Sequence, residues 1–380
     1  MRHHLVTALA LAGLSWACGG GTPQSADGPL PPSPTPSPTP APARATFAYA
    51  AYSLGEDGVI AAYRVDVATG ALATVASTHV AGGPKGLAAD AGGRYVYTVS
   101  NLDDFPANPV VVSYRIEPAG ALTEIGRLAA PARWSKGGRV LAATGHFVYV
   151  LLDDSSTAYS AAIMVYGIGA DGTLTQVGYS GAGLSCCLQF FSVDASGHSV
   201  FMDSGGSQTV MGFSANADGT LAGAGSAPTL GVPTAGALHA SARWLLVGGY
   251  GPSNEPYLAS YAAGAGTLQG PAASVTLAFV PQQVVADPQG RFAYASNYER
   301  LAGYRFDGQT GGLVAADLQR VAVDVMAIEP GGRYLYAGGG SGVIPFAIDP
   351  TNGSLRDLNA AARPEPGARL LTGLAVVAVP

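Results

Sequence analysis

Residues 287–313 read DPQGRFAYASNYERLAGYRFDGQTGGL, and how this stretch is read decides the fold. Asp287 to Gly290 is turn chemistry, an acid and a proline ahead of a glycine. Phe292 to Ser296 alternates aromatic and small residues with period two, the signature of a half-buried strand rather than a helix. A second strand-like run ends on Tyr304, and a second turn closes on Gly311 and Leu313. One short apolar strand precedes the first turn, so the stretch sits inside a repeat of four strands.

The same pattern recurs along the chain. Glycine and leucine two apart stand at Gly70 and Leu72, Gly120 and Leu122, Gly172 and Leu174, Gly219 and Leu221, Gly266 and Leu268, Gly311 and Leu313, and Gly353 and Leu355. An aromatic precedes each leucine by seven to nine residues: Tyr63, Tyr114, Tyr166, Phe213, Tyr261, Tyr304 and Phe346. The turn-and-strand unit repeats as DAGGRYVYTVSN from Asp90, AATGHFVYVLLDD from Ala142, DASGHSVFMDS from Asp194, HASARWLLVGGY from His239 and EPGGRYLYAGGG from Glu329. Four strands in 42 to 52 residues is the size of a propeller blade. The fold expected is all-β, a seven-bladed β-propeller of four-stranded antiparallel blades. The first repeat, FAYAAYS from Phe47, lacks an inner strand, and LLTGLAVVAVP at Leu370 to Pro380 follows the seventh. The C-terminal strand therefore closes the ring, which removes an open sheet edge.

Composition agrees. Hydrophobic residues make up 48% and charged residues 12% of 380, enough for a large core, and 53 glycines with 27 prolines demand frequent turns. Net charge is −6 without a basic run, which argues against nucleic acid as a partner. The N-terminus reads as an export signal: Arg2, His3 and His4 precede the apolar run Leu5 to Leu14, too short to span a bilayer. It ends in Ser15-Trp16-Ala17-Cys18. Residues 1–18 are expected to be a signal peptide with Cys18 as the lipidated residue, the alternative being ordinary cleavage. Residues 19–44 form a proline-rich linker containing PLPPSPTPSPTPAPAR, an extended spacer, and 45–380 form the propeller. The protein is then an exported outer-membrane lipoprotein or periplasmic protein, monomeric, with a membrane as partner through the lipid.

The runs DPQGRFAYASN at Asp287 to Asn297, YRVDVATGAL at Tyr63 to Leu72 and PFAIDPTNGSL at Pro345 to Leu355 resemble the lactonase-type seven-bladed propeller family, which includes bacterial 6-phosphogluconolactonases. The resemblance covers about 44–380. It implies the propeller fold and, as one reading, opening of a cyclic ester. It also implies a His-x-His pair ten and eight residues before a turn glycine. Counting back from Gly197 finds Cys187 and Gln189, and no other blade carries the pair. A binding or scaffold role, presenting one face to a small molecule, glycan or protein, therefore ranks above a lactonase-like hydrolase.

In a propeller the inner strands all begin at one face and the hairpin turns lie at the other. One residue per blade is expected at the start of the inner strand: Lys85, Gly137, Gln189, Thr234, Gln282 and Asp324. Lys136, Arg139 and the adjacent Cys186 and Cys187 fall on the same face. Export favours oxidation of the two cysteines to a vicinal disulfide, with two reduced thiols as the alternative. Asp103, Asp104, Asp153 and Asp154 follow second strands on that face and could gather a calcium ion, or neutralise the neighbouring cations. Asp90, Asp194, His239, Asp287 and Glu329 stand just before hairpin turns and are expected to cap them. His146 and His198 lie within the turns. No zinc or serine-hydrolase motif is present.

Overall fold

A computed structural model describes residues 44–380, except 56, 101–108, 133–137, 154–159, 186–187, 195, 340–341, 363–366 and 369, and the side chains of 160 and 181–185. Arg44–Pro380 is one compact unit. It contains seven four-stranded antiparallel sheets, each ordered from an inner to an outer strand. Blade one is built from both ends of the unit: Leu370–Ala378 pairs antiparallel with Thr46–Ser53, from Thr46 opposite Ala378 to Ser53 opposite Leu370, with a one-residue register shift between Ala51 and Tyr52. Val379 N also donates to the Ala45 carbonyl at 2.8 Å. The expected closure is the one observed.

The recurrent aromatics and glycines hold neighbouring blades together. The phenol of Tyr49, on the second strand of blade one, donates to Gly120 O of blade two at 3.0 Å. The same bond runs from Tyr97 to Gly172 O, from Tyr149 to Gly219 O, from Tyr294 to Gly353 O and from Tyr336 to Gly70 O, at 3.0 to 3.3 Å. The last of these joins blade seven to blade one. Each acceptor is the glycine of a Gly-x-Leu triplet, and the position permits no side chain. At Gly120, where φ is +92°, a Cβ would lie 2.2 Å from the Phe47 ring. Burial of each such ring contributes about 1.5–3 kcal/mol beyond its hydrogen bond.

Of the seven repeat aromatics, Tyr63, Tyr114, Tyr166, Tyr261, Tyr304 and Phe346 are buried. Phe213 is only half-buried. Its outer neighbour strand, Leu221–Pro228, reads LAGAGSAP, and such small side chains cannot cover a ring. The hairpin turns follow the capping expectation. Asp90 accepts from Arg94 N and Tyr95 N at 2.6 and 2.8 Å, and Asp287 from Gln289 N and Arg291 N at 3.1 and 3.2 Å. Glu329 accepts from Gly331 N and Arg333 N at 2.6 and 2.8 Å. In each case the arginine also pairs with the acid and covers the following aromatic ring. His239 is buried and bridges Ser241 and Gly290 O, while His146 and His198 are exposed at their turns.

Candidate functional site at the channel mouth

The inner strands line a central channel, because four-stranded blades packed face to face leave their first strands at the axis. The channel holds a cavity of about 580 Å³ that reaches from Arg139, Gln189, Gln282 and Asp324 at the mouth to Pro288 at the hairpin end. A second cavity of about 560 Å³ adjoins it, lined by Lys85, Arg139, Asp153, Asp324, Tyr298 and Thr372. Arg139, Asp324, Gly86 and Thr372 belong to both. Either volume suits a small molecule.

Of the blade-start residues, Gln189, Gln282 and Asp324 line the first cavity and Lys85 and Asp324 the second. Thr234 lines neither, and its hydroxyl donates to Pro281 O at the boundary of blades five and six. Lys136, Cys186, Cys187, Asp103, Asp104 and Asp154, together with Gly137 and Cys18, lie outside the described residues. Asp153 lines the second cavity together with Arg139, whose positive charge it favours. Among the described residues no group of three or more His, Cys, Asp or Glu side chains is placed to hold a metal ion.

Electrostatics at the mouth are set by burial. Desolvation pulls the Arg139 guanidinium below its ordinary range, opposed by Asp203 and then Asp153. Its Nη2 donates to Leu188 O, and its buried Nε has no hydrogen-bond partner among the described residues. Burial raises the Asp324 carboxyl, against a hydrogen bond from the Leu371 main chain. Asp203 is completely buried, and desolvation raises its carboxyl too, opposed by main-chain donors at Phe190, Gly205 and Gln189. A carboxyl at the mouth is a group able to take up and return a proton.

Four residues of this site escape a count along the repeats. Thr372 comes from the closing strand and donates to Pro84 O and Ala51 O at 2.8 and 3.2 Å. Tyr298, 62% exposed, comes from a connection whose length does not repeat, and Leu370, 49% exposed, is the first residue of the closing strand. Asp203 did leave a signal: it is the one acid in the run SVFMD, a strand buried along its whole length, where charge has no ordinary use.

Fold and site together define a seven-bladed β-propeller with a polar, charged channel mouth. No protein-family model matches the chain, and no curated protein matches it. Solved structures do. A candidate 6-phosphogluconolactonase from Bacteroides fragilis aligns with a TM-score of 0.67 at 19% identity, covering 90% of this chain and 100% of that one. The periplasmic gluconolactonase of Pseudomonas aeruginosa aligns with a TM-score of 0.67 at 19% identity, over 88% and 99% of the two chains. A protein of unknown function from Desulfotomaculum acetoxidans gives 0.66 at 12%, over 88% and 99%. At these identities the likeness establishes the fold. What these neighbours share with the chain is the propeller architecture expected from the repeats.

Proposed function

We propose that the chain is an exported envelope propeller whose channel mouth binds a small, oxygen-rich ligand bearing a negative charge or a polarised carbonyl, such as a sugar acid or its lactone. One observation carries this reading: Lys85, Arg139, Asp153 and Asp324 converge with the exposed ring of Tyr298 on a single cavity. Cations and carboxylates in one cleft can hold carboxyl and hydroxyl oxygens, and an exposed aromatic face can stack on a ring. The gluconolactonase among the structural neighbours favours the ligand class. Titration calorimetry of the whole protein with gluconate and glucono-1,5-lactone tests it. Saturable binding is expected, weakened about tenfold by Lys85→Ala and by Tyr298→Ala, and unaffected by Gln289→Ala at the hairpin face. Absence of binding to both probes, or equal binding by all variants, refutes the reading.

Lactone hydrolysis is the second reading, favoured by the raised carboxyl of Asp324. Its carboxylate would take a proton from water as the oxygen attacks the ring carbonyl, and return it to the departing ring oxygen. Acid release from the lactone in a pH-stat separates turnover from binding. Export and anchoring rest on Arg2 to Cys18 and the proline-rich spacer. Cys18→Ser is expected to move the protein from the membrane fraction to the soluble one, and an unchanged distribution argues against the lipid.

A further inference from the structure

Blade four meets the channel mouth differently from its neighbours. In blade six Gln282 N donates to Ser296 O, and in blade seven Asp324 N donates to Gly338 O, both at 2.7 Å. These are main-chain bonds that simply extend the ladder. In blade four the inner strand is only Phe191–Val193, and its pairing stops at Phe191 opposite Met202. The next residue of the second strand is Asp203. Its Oδ1 accepts from Gln189 N at 2.7 Å and from Phe190 N at 3.0 Å, and its Oδ2 from Gly205 N at 3.0 Å.

The preceding peptide is held from the other side. Leu188 O accepts from Nη2 of Arg139, which belongs to blade three. Three consecutive residues, Leu188, Gln189 and Phe190, are thus fixed by one guanidinium and one carboxylate. The Phe190 ring completes the hold: it fills space beside Gly236 of blade five, where a Cβ would stand 2.7 Å from the ring. Gln189 itself is exposed and lines the 580 Å³ cavity.

The fold does not demand this charge. The positions equivalent to Asp203 in the other blades are Ala51, Val99, Leu151, Gly248, Ser296 and Gly338, all neutral. Placing a carboxylate at full burial is costly unless its bonds serve a purpose. We propose that Asp203, acting with Arg139 across the boundary of blades three and four, is a positioning residue that clamps Leu188–Phe190 and sets Gln189 at the rim of the binding cavity. What Gln189 then contacts rests on the function proposed above. The clamp does not, because it can be read without a ligand.

Amide exchange of the whole protein, followed by mass spectrometry on peptides spanning 188–193, tests the clamp. Asp203→Ala is expected to speed exchange at Gln189 and Phe190 about tenfold or more, with peptides of blades six and seven unchanged. Asp203→Asn keeps an acceptor oxygen but loses the charge assistance, so it should speed exchange at the same two amides by about threefold and rescue most of the loss. If Asp203→Ala fails to fold, the Asn variant decides alone. Unchanged exchange at 189 and 190 in a folded variant overturns the proposal, as does a uniform rise across all blades in the Asn variant. Failure of gluconate and its lactone to bind leaves this measurement unaffected, so the two readings fall separately.

Discussion

At the scale of single residues, the inter-blade tyrosines have the most direct consequence. Tyr49, Tyr97, Tyr149, Tyr294 and Tyr336 place their hydroxyls in buried positions against triplet glycines of the next blade. Burial raises all five above the ordinary 10.0, Tyr149 to about 12 and the others further. Between pH 10 and each raised value the folded chain therefore binds more protons than the unfolded one. Stability supplied by these groups is complete below pH 10 and is lost as pH rises through that window. Each tyrosine still protonated costs about 1.4 kcal/mol per pH unit above 10. An alkaline titration followed by tyrosinate absorbance and circular dichroism should show these tyrosines ionising together with loss of the fold. Ionisation near pH 10 with the sheets intact would contradict the lock.

Individual blades show which parts of this account were legible in the sequence. The Gly-x-Leu triplets and the aromatics before them repeat because every blade must solve the same packing problem, and periodicity survives divergence. The triplet glycine is needed twice over at Gly353, where φ is +81° and a Cβ would lie 2.5 Å from Phe292. Blade four shows what escapes such a reading. It has Ser199 and Phe201 where blade six has Phe292 and Tyr294, so it lacks the phenol bond to the next triplet, and its outer strand is too small to cover Phe213. Its function-bearing residue, Asp203, breaks the pattern instead of following it. Lys85, Arg139, Gln189, Gln282 and Asp324, picked by register, line the two adjoining cavities, since strand starts are fixed by the blades themselves. Thr234, picked by the same count, lines neither cavity, and its hydroxyl donates to the Pro281 carbonyl. Tyr298 sits in a connection of irregular length, where no period points at it, and Leu370 begins the closing strand, which stands outside the seven repeats.

For the whole molecule, ring closure and the candidate site depend on the same strand. Leu371 and Thr372 of the closing strand line the mouth, and the Leu371 amide is a partner of Asp324. Closure also converts Thr46–Ser53 from an exposed edge into a second strand paired on both sides. A chain ending at residue 369 tests this most directly, by comparing its amide exchange over residues 46–53 with that of the full chain. The account predicts that the full chain protects 46–53 as strongly as the second strands Phe292–Ser296 and Tyr334–Gly339, and that the shortened chain loses this protection together with its cooperative melting. Edge-like exchange over 46–53 in the full chain, or a shortened chain indistinguishable from it, would contradict a ring closed by its last strand.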